Sequence, residues 1–231
     1  NVRAIVPVHI EGAFDPNFDQ ILEIAKEEGW YVIEDAAQAF GAVREGELKT
    51  KKVNGVEVSY RNLKKAGSFG IAGCFSFYPA KTLGAFGDAG ALVTNSQDLY
   101  EYVKGARNHF KEDARDWGIN SRCDNIQAAI LNVKFKYYGD TLKRREEIAT
   151  IYTTELSGTQ GIKLPPHTNG RVCQDYIIQT SMRDKLFGYL KEKGIESSIA
   201  VIAAVRADFL STLKLLEEIG WIKPKPNGEA V

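Results

Sequence analysis

The chain has 231 residues, of which 44% are hydrophobic and 26% charged, a balance that allows one large globular domain and a small second one. Its 30 basic and 30 acidic side chains cancel, which excludes a net field directed at nucleic acid or an anionic membrane and favours a small-molecule enzyme or binding protein. Cysteines stand only at 74, 123 and 173, without a CxxC pair, so neither a disulfide framework nor a structural metal site is expected, and a reducing cytoplasm fits.

No apolar run approaches the ~20 residues of a membrane span, and Asn1-Val2-Arg3-Ala4 does not form a signal peptide. Val2 to His9 is β-branched and apolar and predicts a buried strand with Pro7 near its end. Asp15-Pro16 opens a helix with an N-cap-like residue and an N1-like proline, and Phe18, Ile21, Leu22, Ile24 and Ala25 recur at helical spacing until Gly29. Trp30 to Ile33 is again strand-like. Strand, helix and strand in so short a stretch predict a right-handed crossover and a mainly parallel sheet. Because the chain enters a strand at once and does not begin with Met, it is expected to start inside a longer protein.

Asn54-Gly55 lies between Lys51-Lys52-Val53 and the run Val56 to Tyr60, a two-residue hairpin signal. Strands are predicted over 73–78, stopped by Pro79, and over 91–94, with a glycine-rich loop between them. Ser96-Gln97-Asp98 starts a helix carrying Leu99, Val103 and Ala106, and Asn125 to Tyr138 forms another with a charged continuation from Asp140 to Leu156. After Gly158 come a strand at Tyr176 to Thr180 and an amphipathic helix from Arg183 to Lys193. A boundary near residue 150 is expected to divide a large domain, 1–150, from a small C-terminal α+β portion, 151–231.

Two places carry chemistry. Asp35, in Glu34-Asp35-Ala36-Ala37-Gln38, comes directly after an apolar run, and a carboxylate at the carboxyl end of a strand faces the usual ligand crevice of an open α/β sheet. Its position alone is equally compatible with capping the next helix. Lys81 sits just off a strand in Phe75-Ser76-Phe77-Tyr78-Pro79-Ala80-Lys81-Thr82, among aromatics and small residues. A lysine held in such a loop can lose its proton and act as a nucleophile, although a lone loop lysine is more often solvated surface.

Taken together, EDAAQA at 34–39, FSFYPAKTLGAFGDAGALVTN at 75–95, RNH at 107–109 and NSRCDNIQAAIL at 120–131 resemble the ordered signature segments of the DegT/DnrJ/EryC1/StrS aminotransferases. These are enzymes of pyridoxal 5'-phosphate (PLP) fold type I. The likeness covers most of residues 1–155 and continues more weakly through RDKLFGYLKEKGIES at 183–197.

The resemblance implies an α/β fold with a mainly parallel sheet flanked by helices. It implies that Lys81 forms the Schiff base with PLP and then shuttles a proton, and that Asp35 pairs with the pyridine nitrogen, keeping the ring an electron sink. Gln38 would lie near the ring hydroxyl and ring face, and Ser76 would bind the phosphate. Asn120 would reach the phosphate of a neighbouring subunit's cofactor, which implies a homodimer. Lysine at 81, where deoxygenating relatives carry histidine, implies transamination. An amino acid, expected to be glutamate, would give its amino group to a keto sugar attached to a nucleoside diphosphate.

The pattern departs from the family in three places. The phosphate-binding loop and helix end that family members carry upstream are not found before Asn1, so weak cofactor binding by this chain alone is expected. Residues 45–65 are longer than the usual link and read as a hairpin insertion. Beyond Ser198 the His-Tyr-Pro-like element is absent and the small domain reads as shortened or rearranged. An alternative reading is therefore a truncated, non-catalytic homologue that acts as a dimerisation or ligand-binding module.

Overall fold

The computed structural model describes residues 2–53, 56–112, 116–166 and 170–199. The expected Asn54-Gly55 turn and the atypical segment over 200–219 lie outside them. The chain forms two units, one of Asn1–Gln160 with Leu164–Ile178 and the other of Gly161–Lys163 with Gln179–Val231.

The first unit is an α/β layer. Strands β1 (Ala4–Ile5) and β2 (Tyr31–Asp35) pair in parallel around helix α1 (Phe18–Glu27). β1 is shorter than the sequence predicts because Pro7 has no N–H to continue the ladder. Its carbonyl still accepts from Asp35 N at 2.9 Å, and His9 N donates to Asp35 O at 2.9 Å, so pairing resumes as an isolated bridge at Val8. Helix α1 begins later than expected. Asp15 Oδ1 accepts the Asn17 N–H at 2.7 Å, a local turn that spends Asp15 before the helix starts. Phe18 and Ala25 are buried from its apolar stripe.

The insertion forms β3 (Val43–Val53) and β4 (Val56–Lys65), antiparallel from Val43↔Lys65 to Val53↔Val56, with a register shift between Glu45 and Leu48. It spans the stretch expected as a hairpin insertion, 45–65, and its root is held by Val43 N to Gly170 O at 2.8 Å and Ala66 N to Ala42 O at 2.9 Å. Strand β5 (Ala72–Ser76) pairs in parallel with β2, and β6 (Gly90–Thr94) pairs antiparallel with β5. The sheet order is β1-β2-β5-β6, as the mainly parallel expectation requires.

Helix α2 (Gln97–Ala106) starts at the expected cap, with Ser96 Oγ accepting from Leu99 N at 3.3 Å. Helices α3 (Asn125–Phe135) and α4 (Tyr138–Leu156) come next, divided at Lys136-Tyr137. Ala36, Ala39, Ala42, Ala66 and Val172 form a core of small side chains, packed by Phe14, Phe75 and Leu142. Alanine there lets the segment after β2 approach the hairpin root closely.

The second unit contains β7 (Ile162–Lys163), paired antiparallel with β8 (Gln179–Thr180), and helix α5 (Arg183–Glu192). The strand expected at Tyr176 to Thr180 is reduced to β8. Tyr176 is committed elsewhere, its hydroxyl 2.9 Å from Thr153 Oγ1 and its ring 5.2 Å from that of Tyr152 on α4. Among the described residues no helix is long and apolar enough to cross a membrane.

Candidate functional site

Adjacent parallel strands end at the same edge of a sheet, so the carboxyl ends of β2 and β5 lie together. Asp35 ends β2 opposite Cys74, and Ser76 ends β5 two residues further on. Alternation along β2 sends Val32 and Glu34 into one buried layer and Asp35 to the other face.

Glu34 is fully buried and accepts four hydrogen bonds: from His9 Nε2 at 2.8 Å and from the N–H groups of Gly67 at 2.8 Å, Phe69 at 2.5 Å and Gly70 at 2.9 Å. Burial pushes its carboxyl up, but these donors, His9 first, outweigh burial and hold it below the usual carboxylate range. His9 stands in a cluster with Phe14 and Phe18. Among the described residues its buried Nδ1 has no hydrogen-bond partner.

On the opposite face Asp35 Oδ1 accepts the Ala37 N–H at 3.0 Å. Burial, and then the charge of Asp35, pushes the neighbouring Cys74 thiol up. Gln38 comes within the same turn, where its Oε1 accepts the Glu11 N–H at 2.7 Å. Ser76 Oγ accepts the Tyr78 N–H at 3.3 Å.

Lys81 is half-buried in a loop that its neighbours pin from several sides. The loop is closed by Phe77 N to Ala89 O and Ala85 N to Phe77 O, both 2.8 Å, and Lys81 N donates to Tyr78 O at 2.9 Å. Thr82, Leu83, Gly84 and Ala85 are buried. A Cβ on Gly84 would lie 2.4 Å from Pro79 O, so only glycine allows this approach. The Tyr138 hydroxyl donates to Phe40 O, which leaves the Thr82 hydroxyl to donate to Tyr138 across 2.8 Å. Lys134 Nζ caps Gly84 O. Gln174 bonds both residues that flank Lys81, accepting from Thr82 N and donating to Ala80 O, each at 3.1 Å.

Asp35, Gln38, Ser76 and Lys81 therefore occupy two neighbouring strand ends and the turns that leave them. Asn120 lies apart in the chain, exposed on a segment that bridges to Asn108 and is tied to the end of α2 by Ile119 N to Ala106 O at 2.7 Å. The residues that sequence reasoning missed are the supports, Glu34 with His9 and Tyr138 with Gln174. A cleft of about 550 Å³ opens instead at the amino ends of β2 and β5, lined by Tyr31, Val32, Gly70 and Ile71 together with Leu22 and Lys26 of α1.

The model of the DegT/DnrJ/EryC1/StrS aminotransferase family matches residues 1–212. A pleiotropic regulatory protein of Geobacillus stearothermophilus is 38% identical over 204 residues, which is 85% of this chain and 50% of that protein. The dTDP-3-amino-3,4,6-trideoxy-alpha-D-glucose transaminase of Streptomyces venezuelae is 34% identical over 203 residues, 84% of this chain and 48% of that one. The crystal structure of S. venezuelae DesV in complex with a ketimine intermediate matches with a TM-score of 0.71 at 34% identity, covering 84% of this chain and 49% of that one. This chain spans about half the length of the curated relatives it matches. Because the match runs from the first residue through the strand ends and the loop that carries Lys81, the chain belongs to the DegT/DnrJ/EryC1/StrS aminotransferase family, whose members are PLP-dependent.

Proposed function

We propose that this chain is the lysine-bearing part of a PLP-dependent nucleotide-sugar aminotransferase. The reading rests on one observation: Asp35 and Ser76 end adjacent parallel strands, and the buttressed Lys81 loop leaves the sheet at that same edge. Ligands of open α/β sheets bind at such an edge.

The groups present fit PLP. Asp35 uses Oδ1 on the Ala37 N–H, so its other oxygen remains to pair with a protonated ring nitrogen. Ser76 Oγ accepts from a backbone N–H, which keeps its own proton to donate to a phosphate oxygen. Bound PLP supplies an electron sink for the carbanion formed when the substrate loses a proton.

The remaining work falls to the chain. Asp35 holds negative charge against the ring nitrogen. Lys81 would hold the cofactor through its Nζ, and the same amine would take the proton from the amino-bearing carbon of the substrate. A flexible side chain on a fixed backbone suits both tasks. Gln38 would lie near the ring hydroxyl and ring face. Lysine rather than histidine at this position favours complete transamination, with glutamate as donor and a keto sugar on a nucleoside diphosphate as acceptor, in cytoplasmic sugar biosynthesis. Asn120 serves the cofactor phosphate of a second subunit, making the working unit a homodimer.

The test is to add PLP, monitor the visible absorbance, reduce with borohydride and map the modified peptide by mass. The expected result is a PLP-sized adduct on Lys81 that vanishes in Lys81→Ala. A folded chain with no adduct, or an adduct on another lysine, would overturn the assignment and leave a dimerisation or ligand-binding module of the family. Full activity at a monomeric sedimentation coefficient would overturn the role of Asn120.

A further inference from the structure

We propose that Gln174 is a positioning residue that sets the approach of Lys81 by bridging the backbone on either side of it; this rests on Lys81 being the cofactor-attaching residue. The side-chain amide of Gln174 accepts from Thr82 N and donates to Ala80 O, both at 3.1 Å. These are the chain neighbours of Lys81 on its two sides. One planar amide therefore holds that stretch as a strand rung would, and the stem of Lys81 leaves from the middle of the held segment.

Three features separate this from ordinary packing. Gln174 is 8% exposed, and an amide buried without partners is costly. A hydrophobic side chain of the same size would fill the space without that requirement, so what the amide adds is orientation. Second, the segment that presents Gln174 is itself held in an unfavourable conformation. Cys173 has φ 44° and Glu11, whose carbonyl bonds the next residue's N–H, has φ 57°, and such non-glycine conformations persist only where surrounding structure enforces them. The enforcing contacts are Gln174 N to Glu11 O at 3.2 Å and Arg145 Nη1 to the carbonyls of Cys173 at 3.0 Å and Gln174 at 3.2 Å.

Third, the bridge joins two parts of the site. Glu11 N donates to Gln38 Oε1 at 2.7 Å, and Glu11 O accepts from Gln174 N. The turn after Asp35 and the loop of Lys81 are therefore connected through Glu11 and Gln174, residues that share no sequence motif with either.

The experiment compares Gln174→Glu, which keeps the acceptor for Thr82 N but loses the donor to Ala80 O, with Gln174→Met, which keeps the volume and loses both. Two quantities are measured in each: the rate of borohydride-trapped PLP addition to Lys81, and deuterium exchange of the peptide spanning 77–86 in PLP-free protein. The pH midpoint of the visible band in PLP-loaded protein is a third readout, one that a merely structural role would not move. We expect trapping to slow by about tenfold, as the loss of one net hydrogen bond implies. Exchange should quicken within 77–86 alone, and the band midpoint should shift.

Unchanged trapping and unchanged exchange, with Lys81 modified normally in the parent chain, would overturn the proposal. Absence of any Lys81 adduct in the parent would sink the cofactor reading instead, while exchange would still decide whether the bridge holds the loop. Should both variants fail to fold, the Thr82 amide of the parent chain decides. It must exchange among the slowest in its loop, and exchange at the rate of an open loop overturns the bridge.

Discussion

The hydroxyl of Tyr138, at the first turn of α4, meets Thr82 Oγ1 at 2.8 Å, so the residue after Lys81 is anchored to a helix 56 positions away in sequence. The same hydroxyl donates to Phe40 O, and the ring packs 5.5 Å from that of Phe40. Tyr138→Phe keeps the ring and removes both bonds, leaving the Thr82 hydroxyl and the Phe40 carbonyl without this partner. The expected cost is about 2 kcal/mol, a fall in melting temperature of roughly 4–8 °C for a chain of this size. Thermal unfolding monitored by circular dichroism checks it. A change under about 1 °C would mean that water replaces the hydroxyl without loss.

Glu34 makes a pH-dependent contribution whose sign is set by its environment. Its folded pKa lies below the ordinary value of 4.5, because hydrogen bonds from His9 and three backbone N–H groups outweigh burial. The stabilisation is present in full above that ordinary value and is lost as pH falls through the depressed folded value. Glu34→Gln presents an N–H₂ to groups that are themselves donors, and should destabilise by about 2–3 kcal/mol at pH 7. Urea unfolding at a series of pH values should show the parent losing its advantage below about 4.5 and the two proteins converging. A constant difference down to pH 3 would assign the stabilisation to shape rather than charge.

Some local structure was legible from local signals. Ser96 caps α2 as its sequence predicts, and the apolar run Tyr31 to Ile33 places Asp35 at a strand end. Where expectation failed, a competing contact explains it: Pro7 cuts β1 short, Asp15 turns back on Asn17, and Tyr176 pairs with Thr153 instead of entering a strand. Lys81 stood out through the resemblance of its segment to the family's signature, since a lone loop lysine is more often solvated surface. Its supports did not, because Gln174 is 92 positions from Thr82 and Tyr138 is 98 from Phe40. Glu34 was visible as a residue but not as a support, since its donors Gly67, Phe69 and Gly70 reach it only after the hairpin has been closed.

The outer part of that hairpin should be dispensable for the fold. Leu48 pairs with Arg61, and beyond them Thr50, Lys51, Lys52, Glu57 and Ser59 are exposed. The root is held independently by Ala42, Ala66 and Gly170. Replacing residues 49–60 by Asn-Gly, the turn that favours a two-residue hairpin, should change stability by less than about 1 kcal/mol. The trapping rate at Lys81 should stay at its parental value. Calorimetry and borohydride trapping together check this, and slower trapping with normal stability would place the hairpin tip in cofactor access.

Gly84 offers the sharpest separation of loop geometry from global stability. Its φ is one that any residue can adopt, but an added Cβ would sit 2.4 Å from Pro79 O and 2.8 Å from Tyr78 O, and backbone cannot yield as a flexible side-chain tip can. The loop must therefore open between Tyr78 and Gly84, which displaces the bonds from Gln174 to Ala80 and Thr82. Gly84→Ala should lower stability by about 1–3 kcal/mol, the usual cost of overpacking, and slow PLP trapping at Lys81 by more than that loss of folded population accounts for. Glycine has no such contacts at 139, where a Cβ meets nothing within 4 Å, so Gly139→Ala on α4 is the matched control and should be neutral or stabilising. If both substitutions left trapping unchanged, the tight turn at Gly84 would be irrelevant to the presentation of Lys81, and the loop would tolerate opening without moving the residue it carries.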